Sequence, residues 1–102
     1  MTVSAKANDN SLYIYLSGEM DEHSARAARI RCDDLIESNA ACCRLILNLA
    51  GIRFMDSTGI GFLIGRYKKA KLLCMQIFIE NPEPCTDKIL SVSGLYALIP
   101  KI

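Results

Sequence analysis

Arg53-Phe54-Met55-Asp56-Ser57-Thr58-Gly59-Ile60-Gly61 is the stretch on which the reading of this chain turns, because an apolar strand and its exit loop meet a helix start there. Asp56, Ser57 and Thr58 each offer a side-chain oxygen to the unpaired N–H groups of a first helical turn. A cap needs one such residue. It gives no reason for Gly59, Gly61 and Gly65 in the helix that follows, where an interior glycine costs about 1 kcal/mol relative to alanine. On a helical wheel of about 100° per residue, Ser57, Gly61, Gly65 and Lys68 share one narrow stripe, largely opposite Ile60, Ile64 and Tyr67. The stripe suits the backbone of another protein, with the Ser57 hydroxyl at one end, or a close-packed neighbour in the same chain. Geometry alone weighs the two equally.

Outward from this segment the periodicity alternates between strand and helix. Ile60, Leu63, Ile64, Tyr67 and Ala70 recur at intervals of three and four, which predicts a helix from about Thr58 to Lys71 with a basic end. The short apolar runs Leu45 to Leu49 and Met75 to Ile79 on either side read as central parallel strands. Upstream, Ala25, Ala28, Cys32, Leu35 and Ile36 give an amphipathic helix from Ser24 to Ser38, with Arg26, Arg29, Asp33 and Glu37 on other faces. Val3, Ala5 and Ala7 alternate before Asn8-Asp9-Asn10, and Leu12 to Leu16 follows, so the chain opens on a hairpin. Cys85 to Val92 reads as a third helix stopped at Gly94, and a last short strand is expected around Ala97 to Ile99. The order β-β-α-β-α-β-α-β defines one α/β domain over residues 1–102, a mixed β-sheet with helices packed against it.

Composition bounds the function. With 102 residues, 51% hydrophobic and 23% charged, the chain is one folded domain. Twelve Lys plus Arg against eleven Asp plus Glu leave a net charge of +1, which provides no basic field for nucleic acid. The apolar runs are strand-length, so no membrane partner is expected, and the first residues lack a signal-peptide pattern, which points to a cytoplasmic protein. Cys32, Cys42, Cys43, Cys74 and Cys85 form no C-x-x-C pair, and the single His23 cannot complete a zinc site, so neither metal nor cofactor is expected. The cysteines read as reduced, mostly buried thiols; Cys42 and Cys43 precede a buried strand, where adjacent side chains point to opposite faces, so a core and an edge thiol are expected there.

The run Phe54 to Gly61, continuing to Gly65-Arg66-Tyr67-Lys68, resembles the signature of anti-anti-sigma factors in the STAS superfamily, the sporulation members above all. Gly18-Glu19-Met20-Asp21, Leu45 to Leu49 with Asn48 inside, and Ser93-Gly94-Leu95 extend the likeness over about Leu12 to Pro100. The resemblance implies a STAS-like fold and no enzymatic activity. It implies an anti-sigma factor antagonist whose unphosphorylated form binds an anti-sigma factor serine kinase and frees a sigma factor. Phosphorylation would fall on Ser57, a phosphatase would reset the phosphorylated form, and Asp21, Asp56, Thr58, Gly59, Gly61, Gly65 and Arg66 would contact the partner. Two departures from the family pattern stand out. The turn before the fourth strand, commonly glycine-rich, reads Lys71-Leu72-Leu73-Cys74, and relatives usually add a further helix beyond the position of Ile102.

Catalytic readings find little in the sequence. Ser57 lies in no G-x-S-x-G elbow, His23 is the sole histidine, and no G-x-x-x-x-G-K-[ST] loop is present. Asp56 could orient the Ser57 hydroxyl, cap the helix or touch the kinase, and sequence does not separate these roles. The competing readings are a STAS module of another partner-switching pathway, such as a general stress response, and a STAS domain that binds a small ligand or nucleotide.

Overall fold

Leu12, Ile14 and Leu16 are buried along β2 (Ser11–Met20) while Tyr13 and Tyr15 point the other way, and this period of two decides which face of the sheet is covered. In the computed structural model, which covers residues 1–102, β1 (Thr2–Asn8) pairs antiparallel with β2 across a turn that holds Asp9 at φ 54°. β3 (Arg44–Met55) and β4 (Gln76–Glu80) join in parallel, giving the order β1-β2-β3-β4. Register partners build the core in rows: Leu12, Leu45 and Ile77, then Ile14, Leu47 and Ile79. The covered face is continuous across three strands.

Two crossovers carry α1 (Glu22–Ser38) and α2 (Ser57–Leu72) onto that face, where they pack side by side. Ala28, Cys32 and Ile36 are the buried positions of α1, as its apolar spacing predicts. β3 runs on past Leu49 as far as Met55, beyond the apolar run that marks it in the sequence. Its register against β2 shifts between Tyr15 and Ser17, and a Cβ on the facing Gly51 would lie 2.5 Å from the Ser17 Cβ, so the two strands approach too closely for any side chain there.

Two expectations are corrected. The inward face of α2 is Gly59, Phe62, Leu63, Arg66 and Ala70, whereas Ile60, Ile64 and Tyr67 are half-buried at the margin of the core. The helix is turned because Gly59 lets its first turn drop against the sheet. The last strand expected around Ala97 to Ile99 is absent: after α3 (Pro84–Val92), residues Leu95–Ala97 form a 3₁₀ turn. Leu95 and Ile99 are buried while Ala97 between them is exposed, whereas a strand would turn all three to one face. The chain meets the sheet later, where the Ile79 N–H donates to the Pro100 carbonyl and the Ile102 N–H to the Ile79 carbonyl, each at 2.9 Å. No helix is long and apolar enough to cross a membrane.

Candidate functional site

Met20 and Met55 are register partners at the ends of neighbouring parallel strands, so the residues after them, Asp21 and Asp56, emerge side by side. Both are helix N-caps. The Asp56 carboxylate accepts from the Thr58 N–H at 2.9 Å, with an extended backbone at φ −115°. Capping is therefore its role within the fold. Asp21 accepts from the Ser24 N–H at 3.0 Å, and its Oδ1 lies 3.0 Å from the Ser24 hydroxyl, which is also 2.7 Å from the Glu19 carbonyl. The Ser24 N–H first, then its hydroxyl, hold the Asp21 carboxyl below the usual carboxylate range.

Ser57 is the first residue of α2 and is exposed. Its hydroxyl thus projects from a backbone fixed by the neighbouring cap. Along the same stripe Gly61 and Gly65 are open: a Cβ built on either meets nothing within 4 Å, and Lys68 beyond them is exposed. The neighbour within the chain that could have required these glycines is not there.

Three of the residues that the resemblance groups together are separated by depth. Thr58 is half-buried and donates its N–H to Asp56. Gly59 is buried, and a Cβ on it would lie 2.4 Å from Met55 Cγ and 3.2 Å from Met20 Sδ. Its glycine is explained by the two methionines beneath it and not by a surface contact. Arg66 is 3% exposed, with its Nε 2.9 Å from Asp33 Oδ1 on α1 and its Cζ 4.9 Å from the centre of the Phe62 ring. A buried guanidinium in such a pair belongs first to the seam between the helices. Burial pulls its pKa down and Asp33 opposes the shift.

That seam was not anticipated, although the signal lies in the sequence. Asp33 and Glu37 stand one turn apart on α1, Arg66 and Lys69 nearly so on α2, and they pair as Asp33 with Arg66 and Glu37 with Lys69. His23 is exposed and lines a cleft with Asp21, Gly18 and Arg53, to which Ser57 contributes nothing. The five cysteines are free thiols, but the expectation that most are buried is corrected: only Cys32 is buried, Cys42 is half-buried, and Cys43, Cys74 and Cys85, which lie in turns or at a helix start, are exposed. Burial pushes the Cys32 thiol up to about 11.

A single small domain with this mixed sheet, and with an exposed serine at the start of its second helix, matches a known family over its length. The STAS domain model matches residues 2–102, and the chain belongs to that family. Among its relatives, the anti-sigma F factor antagonist of Paenibacillus polymyxa is 33% identical over 89 residues, which covers 87% of this chain and 75% of that protein. The anti-sigma-B factor antagonist of Bacillus subtilis (strain 168) is 29% identical over 99 residues, covering 97% of this chain and 88% of the relative. Among solved structures, that of the anti-sigma factor antagonist SpoIIAA in its unphosphorylated form superposes with a TM-score of 0.79 at 25% identity, covering 99% of this chain and 88% of the other.

Proposed function

We propose that this protein is an anti-sigma factor antagonist that works by partner switching in the cytoplasm. Unphosphorylated, it binds an anti-sigma factor that is also a serine kinase and so frees a sigma factor. The kinase transfers the γ-phosphoryl group of ATP to the Ser57 hydroxyl, and the modified protein lets go. A phosphatase returns it to the binding form. The protein itself performs no chemistry; its partner supplies the catalytic groups and the nucleotide.

The observation that carries this reading is the position of Ser57, exposed at the first residue of α2 with the open Gly61 and Gly65 beside it. A phosphate there adds a charge of about −1.5 to −2, which the positive end of the helix tolerates. The fold survives, and the effect falls on whatever docks against the stripe. Asp21, Asp56, Thr58, Gly61 and Gly65 are the contact residues under this reading, while the buried Gly59 and Arg66 act by shaping the surface from below.

The test is incubation with the anti-sigma factor kinase of the same genome and ATP, followed by mass mapping. One phosphate is expected at Ser57, none on Ser57→Ala, which keeps binding, and weak binding by Ser57→Asp. Modification confined to Thr58, Ser91 or Ser93 would overturn the assignment. Gly61→Leu and Gly65→Leu should fold and lose the partner, since a bulky side chain holds its backbone away. A second version of the same reading, in which the kinase belongs to a general stress pathway and not to sporulation, is supported by the likeness to the anti-sigma-B factor antagonist over 97% of this chain. Binding assays against both kinds of kinase separate the two.

A further inference from the structure

The N-terminal halves of α1 and α2 leave a groove between them, lined from α1 by Arg26 and Arg29 and from α2 by Thr58, Gly61 and Gly65, with Arg66 among its deeper residues. Arg26 and Arg29 are exposed, and Glu22, at the groove's end, is its one carboxylate. Arg66 is unusual for so buried a cation. Its Nη2 reaches Asp33 Oδ2 at 3.4 Å and its Nε approaches Oδ1 at 2.9 Å, but Nε is too poorly aligned for a hydrogen bond, and Nη1 has no acceptor. A buried guanidinium that is half satisfied holds unspent capacity for an anion.

Charge and shape agree on what fits. Arg66 is already paired with Asp33, so the exposed charges of the groove are Arg26 and Arg29 against Glu22, a local excess of one positive charge in a chain whose net charge is only +1. Arg26 and Arg29 stand three residues apart on one wall, and Gly61 and Gly65 four apart on the other, rises of about 4.5 and 6 Å. Successive carboxylates on an extended peptide match that spacing, and the two bare glycines let its backbone lie close.

We infer that the α1/α2 groove is the docking site for an acidic segment of the partner protein, whose Asp or Glu side chains pair with Arg26 and Arg29 while its backbone runs along Gly61 and Gly65. This names the partner's contact chemistry and rests on the partner-switching reading above. Under it, affinity for the partner falls as salt is raised, and part of that dependence resides in two exposed arginines far from the phosphorylated hydroxyl in role.

The experiment is an NMR titration of the whole ¹⁵N-labelled protein with capped hexaglutamate, with capped hexalysine and with inorganic phosphate. Hexaglutamate should move the Gly61 and Gly65 amide signals and the Arg26 and Arg29 Nε–H signals saturably, and hexalysine should not. In Arg26→Gln/Arg29→Gln, whose melting temperature should be unchanged, affinity for the peptide and for the anti-sigma factor kinase should fall about tenfold with a flatter salt dependence. Equal shifts from phosphate alone at the same concentration, no shift from hexaglutamate, or unimpaired kinase binding by the double variant would each overturn the inference. Unimpaired binding by that variant, with Ser57→Asp still released, would leave partner switching intact. Hexaglutamate binding with no phosphate ever placed on Ser57 would count against partner switching instead.

Discussion

The Nε of Arg66 lies 2.9 Å from the Oδ1 of Asp33, yet the two ends of this ion pair live in different surroundings, with the arginine side chain 4% exposed and the aspartate 30%. Water can reach one partner and not the other. Removing them is therefore unequal. Asp33→Ala strands a buried cation and should cost about 3 kcal/mol, whereas Arg66→Met leaves a carboxylate that can hydrate and keeps apolar volume against Phe62, costing about 1 kcal/mol. Urea unfolding of the two variants checks the order, and equal losses would contradict it.

The three glycines of α2 should part company under the same substitution. Gly59→Ala forces a Cβ to within 2.4 Å of Met55 Cγ and 3.2 Å of Met20 Sδ, which should destabilise by about 1 to 3 kcal/mol unless the methionines yield. Gly61→Ala and Gly65→Ala meet open space and should stabilise by about 0.5 to 1 kcal/mol each. Thermal melts of the three single variants give the comparison, and a stable Gly59→Ala would mean that the helix rides higher on the sheet.

Cys74 sits at φ 58° in the turn between α2 and β4, a backbone that a side chain adopts at a cost. This is the turn where the family commonly has glycine and this chain reads Lys71-Leu72-Leu73-Cys74. Cys74→Gly should relieve the strain and raise stability by up to about 1 kcal/mol, the larger freedom of glycine in the unfolded chain offsetting part of the gain. Cys74→Val, β-branched at the same φ, should do the opposite. Denaturant midpoints of the two variants test the sign.

Cys32 should be invisible to thiol reagents while Cys43, Cys74 and Cys85 react, since it alone of these is fully buried. Its thiol is raised from 9.0 to about 11 in the fold, chiefly by desolvation. A raised value favours the protonated form in the folded state, so the stability it contributes is complete below about pH 9 and is lost as pH rises through about 11. The alkaline fall in stability should be shallower in Cys32→Ala than in the parent. An identical slope, or rapid labelling of Cys32 in native buffer, would refute this account.

How much of this was legible in the sequence depends on what each residue type announces. The helices and central strands follow from apolar spacing, because one covered face per element writes its period into the chain. The facing of α2 did not follow. Arg66 carries a charge and Gly59 carries no side chain, so neither signals burial, while Ile60, Ile64 and Tyr67 signal it and lie at the margin. Ala97 to Ile99 misled for another reason: a short apolar run fits a strand or a helical turn equally, and the burial of Leu95 and Ile99 around an exposed Ala97 decides for the turn. At the site, Asp56-Ser57-Thr58 announced a cap, and which oxygen served as the cap needed coordinates. Open space beside Gly61 and Gly65 is a property of neighbours, which no local pattern records.

The side-by-side caps Asp21 and Asp56 have an electrical meaning of their own. Two helices that start from adjacent parallel strands and run back over one face point their peptide dipoles the same way. Each contributes about half an elementary charge at its start, tempered by its aspartate, and an opposite half charge at its far end. A molecule with a net charge of +1 is thus no featureless sphere to an approaching protein. It behaves as a compass needle whose head is the serine-bearing end, so that a charged visitor feels a torque before it feels a contact and arrives already turned toward the face it must read.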